Sequence, residues 1–165
     1  MKRLACLLMC FGLIAPPVLA QTPSSRGSYS AWHVFTVESD RGLVCYALSQ
    51  PIDSTPTSVD HGEIFFIVSS WQSAAAEEQP RFAASYALRP DSPPRVRVGS
   101  DRYSMFVADN DGFIEDNDDE VRLVRAMRRG SVMRVEATSQ RGTAVAYEFS
   151  LNGITAALQR VEALC

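Results

Sequence analysis

From residue 31 onward, apolar and polar positions follow a period close to two, the mark of strands with one face turned inward. Residues 31–38 carry Trp32, Val34, Phe35 and Val37 and are predicted as a strand. Arg41 and Gly42 turn the chain, and 43–49 is its hairpin partner. Pro51, Pro56 and Gly62 mark 51–62 as a loop. Residues 63–71 (EIFFIVSSW) are almost continuously apolar, which predicts a strand buried on both faces. A loop over 72–80 leads to a strand at 81–88, and three prolines in 89–94 break it. Arginine and valine alternate over 95–98. Gly99, Ser100 and Asp101 turn the chain, and 103–108 returns as the second arm of a hairpin. Two further strands, 131–138 and 143–150, flank a turn at Gln140, Arg141 and Gly142, with Gly142 suited to a positive φ.

Two segments change period. In 118–129 the first turn is acidic and the last basic; Asn117 or Asp118 can cap the start, and Gly130 stops the helix. Val121, Val124 and Met127 fall on one side of it. In 152–164, Ile154, Ala157, Leu158 and Val161 follow the i, i+3, i+4, i+7 spacing of one buried helical face. About eight short strands with two helices, not alternating, point to a mainly β fold, a sandwich or barrel, and away from a parallel doubly wound sheet.

The first twenty residues read differently. Lys2 and Arg3 precede an apolar run over 4–14 that is too short to span a bilayer. Val18 and Ala20 then occupy the −3 and −1 positions of a cleavage site before Gln21. This is the pattern of a secretory signal peptide over 1–20, with export to the periplasm or beyond expected. Residues 21–30, rich in serine, are expected to be a flexible leader, and 31–165 a single domain. No other stretch is long and apolar enough to predict a transmembrane segment in the mature chain. Cleavage would remove Lys2 and Arg3 and take the net charge from −3 to −5, which argues against nucleic-acid binding. It would also leave two cysteines, Cys45 and Cys165. In an exported chain one disulfide is the simplest use of them, with two unpaired thiols as the alternative.

Candidate chemistry is sparse. Seven carboxylates crowd 109–120, and Asp109, Asp111, Glu115 and Asp118 are the candidate ligands for a hard cation such as calcium. The competing interpretation is a solvated turn and a charged helix start. Arg122, Arg125 and Arg129 recur at helical spacing and are candidate contacts for an anionic partner; an Asp118–Arg122 pair and the helix dipole explain the same pattern. His61 beside Asp60 could act as a general base, as could His33, but no nucleophile motif accompanies either. Trp32, Trp71 and Tyr86 fit core or strand positions better than a ligand platform. No phosphate loop and no metal-ligand spacing occurs, so no cofactor is expected.

From Ala126 onward the chain reads AMRRGSVMRVEATSQRGTAVAYEFSLNGITAALQRVEALC. Together with Trp32, Cys45-Tyr46-Ala47, Ser49-Gln50-Pro51 and the apolar strand 64–68, this resembles the invasion associated locus B family of exported bacterial proteins over about residues 30–165. Ser85-Tyr86 stands where that family's pattern has Gly-Tyr, and Gly112-Phe113 where it has Ala-Trp. The resemblance implies an immunoglobulin-like β-sandwich, a periplasmic or outer-envelope location and a Cys45–Cys165 bridge. It implies no enzymatic chemistry. The expected function is therefore a non-enzymatic exported binding or envelope module, with an unidentified protein or envelope partner. The alternative is a periplasmic hydrolase or calcium-dependent protein using Asp60 and His61 or the acidic loop.

Overall fold

Strand follows strand through most of the chain in the computed structural model, which describes residues 22–73 and 76–165. The signal-peptide expectation for 1–20 lies outside the described residues. The elements are β1 (Ser24–Tyr29), β2 (Trp32–Ser39), β3 (Gly42–Ser49), β4 (Asp53–Thr55), β5 (Ile64–Trp71), β6 (Gln79–Ala84), β7 (Arg95–Val98), β8 (Asp101–Ala108) and β9 (Asp111–Ile114). Then come α1 (Asn117–Arg129), β10 (Val132–Thr138), β11 (Ala144–Ser150) and α2 (Ile154–Leu164).

All strand pairs are antiparallel, in the order β1-β2-β3-β5-β6-β9-β8-β7-β10-β11-β4. Strand β8 turns this ribbon into two layers. Its residues 101–104 pair with β7, and its residues 105–108 pair with β9. One strand thus ends a larger sheet (β1, β2, β3, β5, β6, β9) and begins a smaller one (β7, β10, β11, β4). The layers meet through aromatic contacts. Phe66 packs edge-on against Phe149 at 5.8 Å, and Phe82 lies 5.7 Å from Tyr147. Trp32 is fully buried, and its indole Nε1 donates to the Ser150 carbonyl at 3.0 Å, so its polar tip is satisfied across the layers.

The helices seal the core. Helix α1 buries Leu123, Val124, Ala126 and Met127. Val121, expected on that face, is 48% exposed: the buried stripe lies one position further round the helix. Asp116 supplies the cap rather than Asn117 or Asp118; its carboxylate accepts from the N–H groups of Asp118 and Asp119 at 2.8 and 3.1 Å. Gly130 ends the helix as expected, but for reasons of space. Its backbone is extended, and a Cβ there would sit 2.7 Å from Val98 and 2.9 Å from Leu151. Helix α2 buries the expected Ile154, Ala157, Leu158 and Val161. It starts at Gly153, whose φ of 94° and a Cβ position 2.0 Å from the Tyr29 carbonyl exclude any larger residue. At its far end Cys165 is bonded to Cys45, which faces the core from β3.

Three strands exceed the eight expected, and each has a physical reason. The segment expected as a flexible leader contains β1, an edge strand with a bulge between Ser25 and Gly27. It is polar because both of its faces are largely exposed, so no alternation announces it. Strand β4 is only three residues long at the other edge. Strand β9 runs through the supposed acidic loop, with Gly112 buried beneath Met105 and Pro94. The strand expected at 81–88 is shifted: pairing spans Gln79–Ala84, and Leu88 makes only an isolated bridge to Ser139.

Candidate functional site

The loop before β5, the chain after β6 and the β10–β11 turn enclose a cleft of about 640 Å³ that holds Asp60, His61, Tyr86, Ser139 and Arg141. This is where the sequence placed a candidate general base. The geometry commits His61 elsewhere. Its Nε2 lies 3.0 Å from the Pro56 carbonyl and its Nδ1 lies 2.9 Å from the Tyr147 hydroxyl. A carbonyl only accepts, so Nε2 carries a proton; in a neutral ring Nδ1 then accepts from Tyr147. Tyr147 in turn takes a hydrogen bond from Tyr86, at 2.8 Å. Burial pushes both phenols above their ordinary range, Tyr147 furthest. The Asp60 carboxylate accepts from the Gly62 N–H at 2.9 Å, and the Ser139 hydroxyl oxygen accepts from the Thr143 N–H at 3.1 Å. Asp60, His61 and Ser139 therefore share a cleft without a nucleophile–base–carboxylate relay. Tyr147 is the hub of the chain of hydrogen bonds, and nothing in its sequence neighbourhood set it apart from other strand aromatics. His33, on the exposed side of β2, sits 2.9 Å from the Ser28 hydroxyl.

The candidate cation ligands do not gather into one cluster. Asp109 lies in the β8–β9 turn with a φ of 56°, and Asp111 is on β9. Glu115 precedes α1, and Asp118 lies in its first turn. Asp111 is bound to Arg81 at 3.2 Å. Its carboxyl is nonetheless held above the usual range, because burial outweighs the Arg81 guanidinium. Among the described residues no three His, Cys, Asp or Glu side chains gather as a metal site. Asp109 stays near enough to push the Asp111 carboxyl further up, but Glu115 and Asp118 do not join them in a cluster.

The α1 arginines are brought together with others. Arg122, Arg125 and Arg129 line a shallow groove with Arg102 of β8. The expected Asp118–Arg122 pair is replaced by Asp119–Arg122 at 2.8 Å. Arg128 points away from the stripe and pairs with Glu78.

The two outer faces of the sandwich differ most. On the smaller sheet, Arg134 lies opposite Glu148 and beside Glu136, with contacts of 3.2 and 3.0 Å. On the larger sheet the outward positions include six partly exposed apolar side chains, Phe35, Tyr46, Leu48, Phe65, Phe106 and Phe113, with exposed His33, half-buried Arg81 and Asp111, and the buried Ile67 and Ser69 between them. Phe35 stacks on Tyr46 across β2 and β3 at 5.7 Å, and Phe106 on Phe113 across β8 and β9 at 5.8 Å. Phe106 is 44% exposed, and the other five are half-buried. Arg81 crosses the middle of this face, with its Nε buried and without a partner among the described residues. Among the described residues no helix is long and apolar enough to cross a membrane.

The fold is similar to a crystal structure of invasion associated protein B from Bartonella henselae, at 17% identity and a TM-score of 0.58 over 86% of this chain and 97% of that one. No curated protein matches the chain. The family model of the invasion associated locus B (IalB) proteins matches residues 32–162, nearly the whole described domain from β2 to α2, and the chain belongs to that family.

Proposed function

We propose that this protein is an exported, periplasmic or outer-envelope binding module without enzymatic chemistry, which meets its protein or envelope partner through the outer face of the larger sheet. The observation that carries this reading is the band of half-exposed aromatic and aliphatic side chains from Phe35 to Phe106. Sheets with one solvated face normally alternate apolar-in with polar-out, and the smaller sheet follows that rule. The larger one instead carries two stacked aromatic pairs joined across the register by Leu48, Ile67 and Arg81, and apolar, aromatic and arginine side chains together match the composition of the buried centres of interfaces. The sheet edges are poorer candidates, since β1 is bulged and β4 is very short. Export is supported by the signal-peptide pattern of 1–20 and by the Cys45–Cys165 disulfide, a bond of oxidising compartments. The family description links such proteins with invasion. A host-facing role for this chain would use the same face.

Site-specific photo-crosslinking in cells tests the reading. A photoreactive residue at position 106 is expected to give one discrete adduct in the periplasmic or envelope fraction, lost when Phe113 is changed to Lys. The same probe at position 136, on the smaller sheet, is expected to give none. Equal adducts from both positions, or a cytoplasmic location, would contradict the proposal. The hydrolase alternative gains no support from the geometry of His61.

A further inference from the structure

The outer face of the smaller sheet continues into a feature that its ion pairs do not explain. Three neighbouring strands place arginine at one register: Arg102 of β8 opposite Arg97 of β7, and Arg97 opposite Arg134 of β10. Like charges directly opposite on one face of a sheet destabilise it. Arg134 is neutralised by Glu136 and Glu148. Arg97 and Arg102 have no ion pair among the described residues, and neither do Arg125 and Arg129 of α1.

Helix α1 packs beside β7 and β8 and brings its stripe to the same place. Arg102, Arg122, Arg125 and Arg129 line one groove of about 380 Å³, and Arg129 also borders the adjoining hollow that holds Arg97. Three acids lie nearby: Asp101 in the groove, Asp119, which is already engaged by Arg122, and Glu148 in the hollow, which is engaged by Arg134. The Arg122 guanidinium is held 5.9 Å from the centre of the Tyr103 ring, so one wall of the groove is fixed. A net positive groove on a chain of net charge −3 is thus assembled from three elements that lie close together in sequence, β7, β8 and α1.

We infer that this groove is a binding site for clustered phosphate groups, held by Arg97, Arg102, Arg125 and Arg129. Guanidinium groups pair bidentately with phosphate and need no further base or metal. Phosphate is favoured over a carboxylate chain because the site is small and its positive charge dense; each phosphate brings up to two charges and three acceptor oxygens into little volume. The source is either a soluble polyphosphate or the phosphate headgroups of a lipid. Arg102 and Phe106 share the outward side of β8, but the site takes no residue from the aromatic face, and neither proposal depends on the other.

The test is calorimetric titration of the full exported chain with inorganic tripolyphosphate. A parallel arm measures sedimentation with phosphatidylcholine vesicles, with and without cardiolipin. Saturable tripolyphosphate binding that weakens as salt rises is expected. Combined Arg102→Gln, Arg125→Gln and Arg129→Gln substitution is expected to weaken it about tenfold or more. Combined Arg41→Gln, Arg141→Gln and Arg160→Gln substitution, which removes the same charge elsewhere, is expected to leave it within about twofold. Cardiolipin-dependent sedimentation lost in the first variant assigns the headgroup source; tripolyphosphate binding without it assigns the soluble one. Arg102→Gln alone is expected to raise the melting temperature by about 1–3 °C, since it relieves the repulsion with Arg97. The proposal is overturned if no saturable binding is found, if both triple variants lose it equally, or if polyglutamate of equal charge binds as tightly.

Discussion

The larger and smaller sheets share one strand, one core and one alternation, yet their outward sides have opposite chemistry. Behind the smaller sheet's Val135, Tyr147 and Phe149 stand Arg134, Glu136 and Glu148, the solvated outside of a β-layer. Behind the larger sheet's Val34, Phe66 and Phe82 stand Phe35, Phe65 and Arg81. The inward residues of both are what folding requires. The outward residues of the larger sheet exceed that requirement, because the smaller sheet reaches full inner burial with charges outside. Some of the aromatic pairs also steady the sheet, by about 0.2–1 kcal/mol each, which is small beside a buried core residue. The contrast separates the part of the sequence that makes the sandwich from the part available for contact.

The disulfide sharpens the contrast most, because it clamps one sheet and not the other. Cys45 and Cys165 are 120 residues apart, a loop worth up to about 5 kcal/mol in the chain-entropy description. Reduction, or Cys45→Ser, is expected to lower the melting temperature strongly. Hydrogen exchange is expected to show protection lost first in α2 and β3, with β10 and β11 retaining theirs. Equal loss in both sheets would show that the clamp acts on the whole domain at once.

Next in size is the difference between inward and outward aromatics. Phe66→Ala, at a fully buried position between the layers, is expected to cost about 3–5 kcal/mol by denaturant unfolding. Phe106→Ala, on the outer face, is expected to cost about 1 kcal/mol or less while reducing the binding of a hydrophobic dye. If Phe106→Ala destabilised as much as Phe66→Ala, the aromatic face would be part of the fold's requirements after all.

The smallest expected effect concerns the Arg81–Asp111 ion pair set into the apolar face. Asp111 holds its proton more tightly in the folded chain than in the unfolded one, because burial outweighs Arg81. The folded state then binds more protons through this group, so its contribution favours folding at low pH and is lost as pH rises through the raised native value. Between about pH 3 and 6, Asp111→Asn is expected to remove this component from the pH dependence of the melting temperature. An unchanged profile would place the titration elsewhere.

Much of this molecule was legible from residue pattern alone, for reasons the two faces make plain. Strands such as β2, β5, β10 and β11 announce themselves because one face must be apolar, and α2 because its buried stripe is regular. Strands β1 and β4 were hidden because edge strands carry polar side chains on both sides, and β9 because Asp111 and Gly112 read as turn residues. The aromatic face was present in the sequence as outward Phe35, Tyr46 and Phe113, but alternation shows only that two faces differ, not which is left uncovered. The arginine groove was half visible: Arg122, Arg125 and Arg129 shared a helical stripe, whereas Arg97 and Arg102 join them only through strand register. The Tyr86–Tyr147–His61 chain joins residues up to 86 positions apart and has no local signature.

Oxidative footprinting of the aromatic side chains, in intact cells and on the purified protein, tests the central claim most directly. Phe35, Tyr46, Phe106 and Phe113 are expected to be oxidised readily in the purified chain and protected in cells, with exposed Ile52, beside β4 of the smaller sheet, labelled equally in both. Equal oxidation of the four aromatics in cells and in solution would contradict a partner-covered face on the larger sheet.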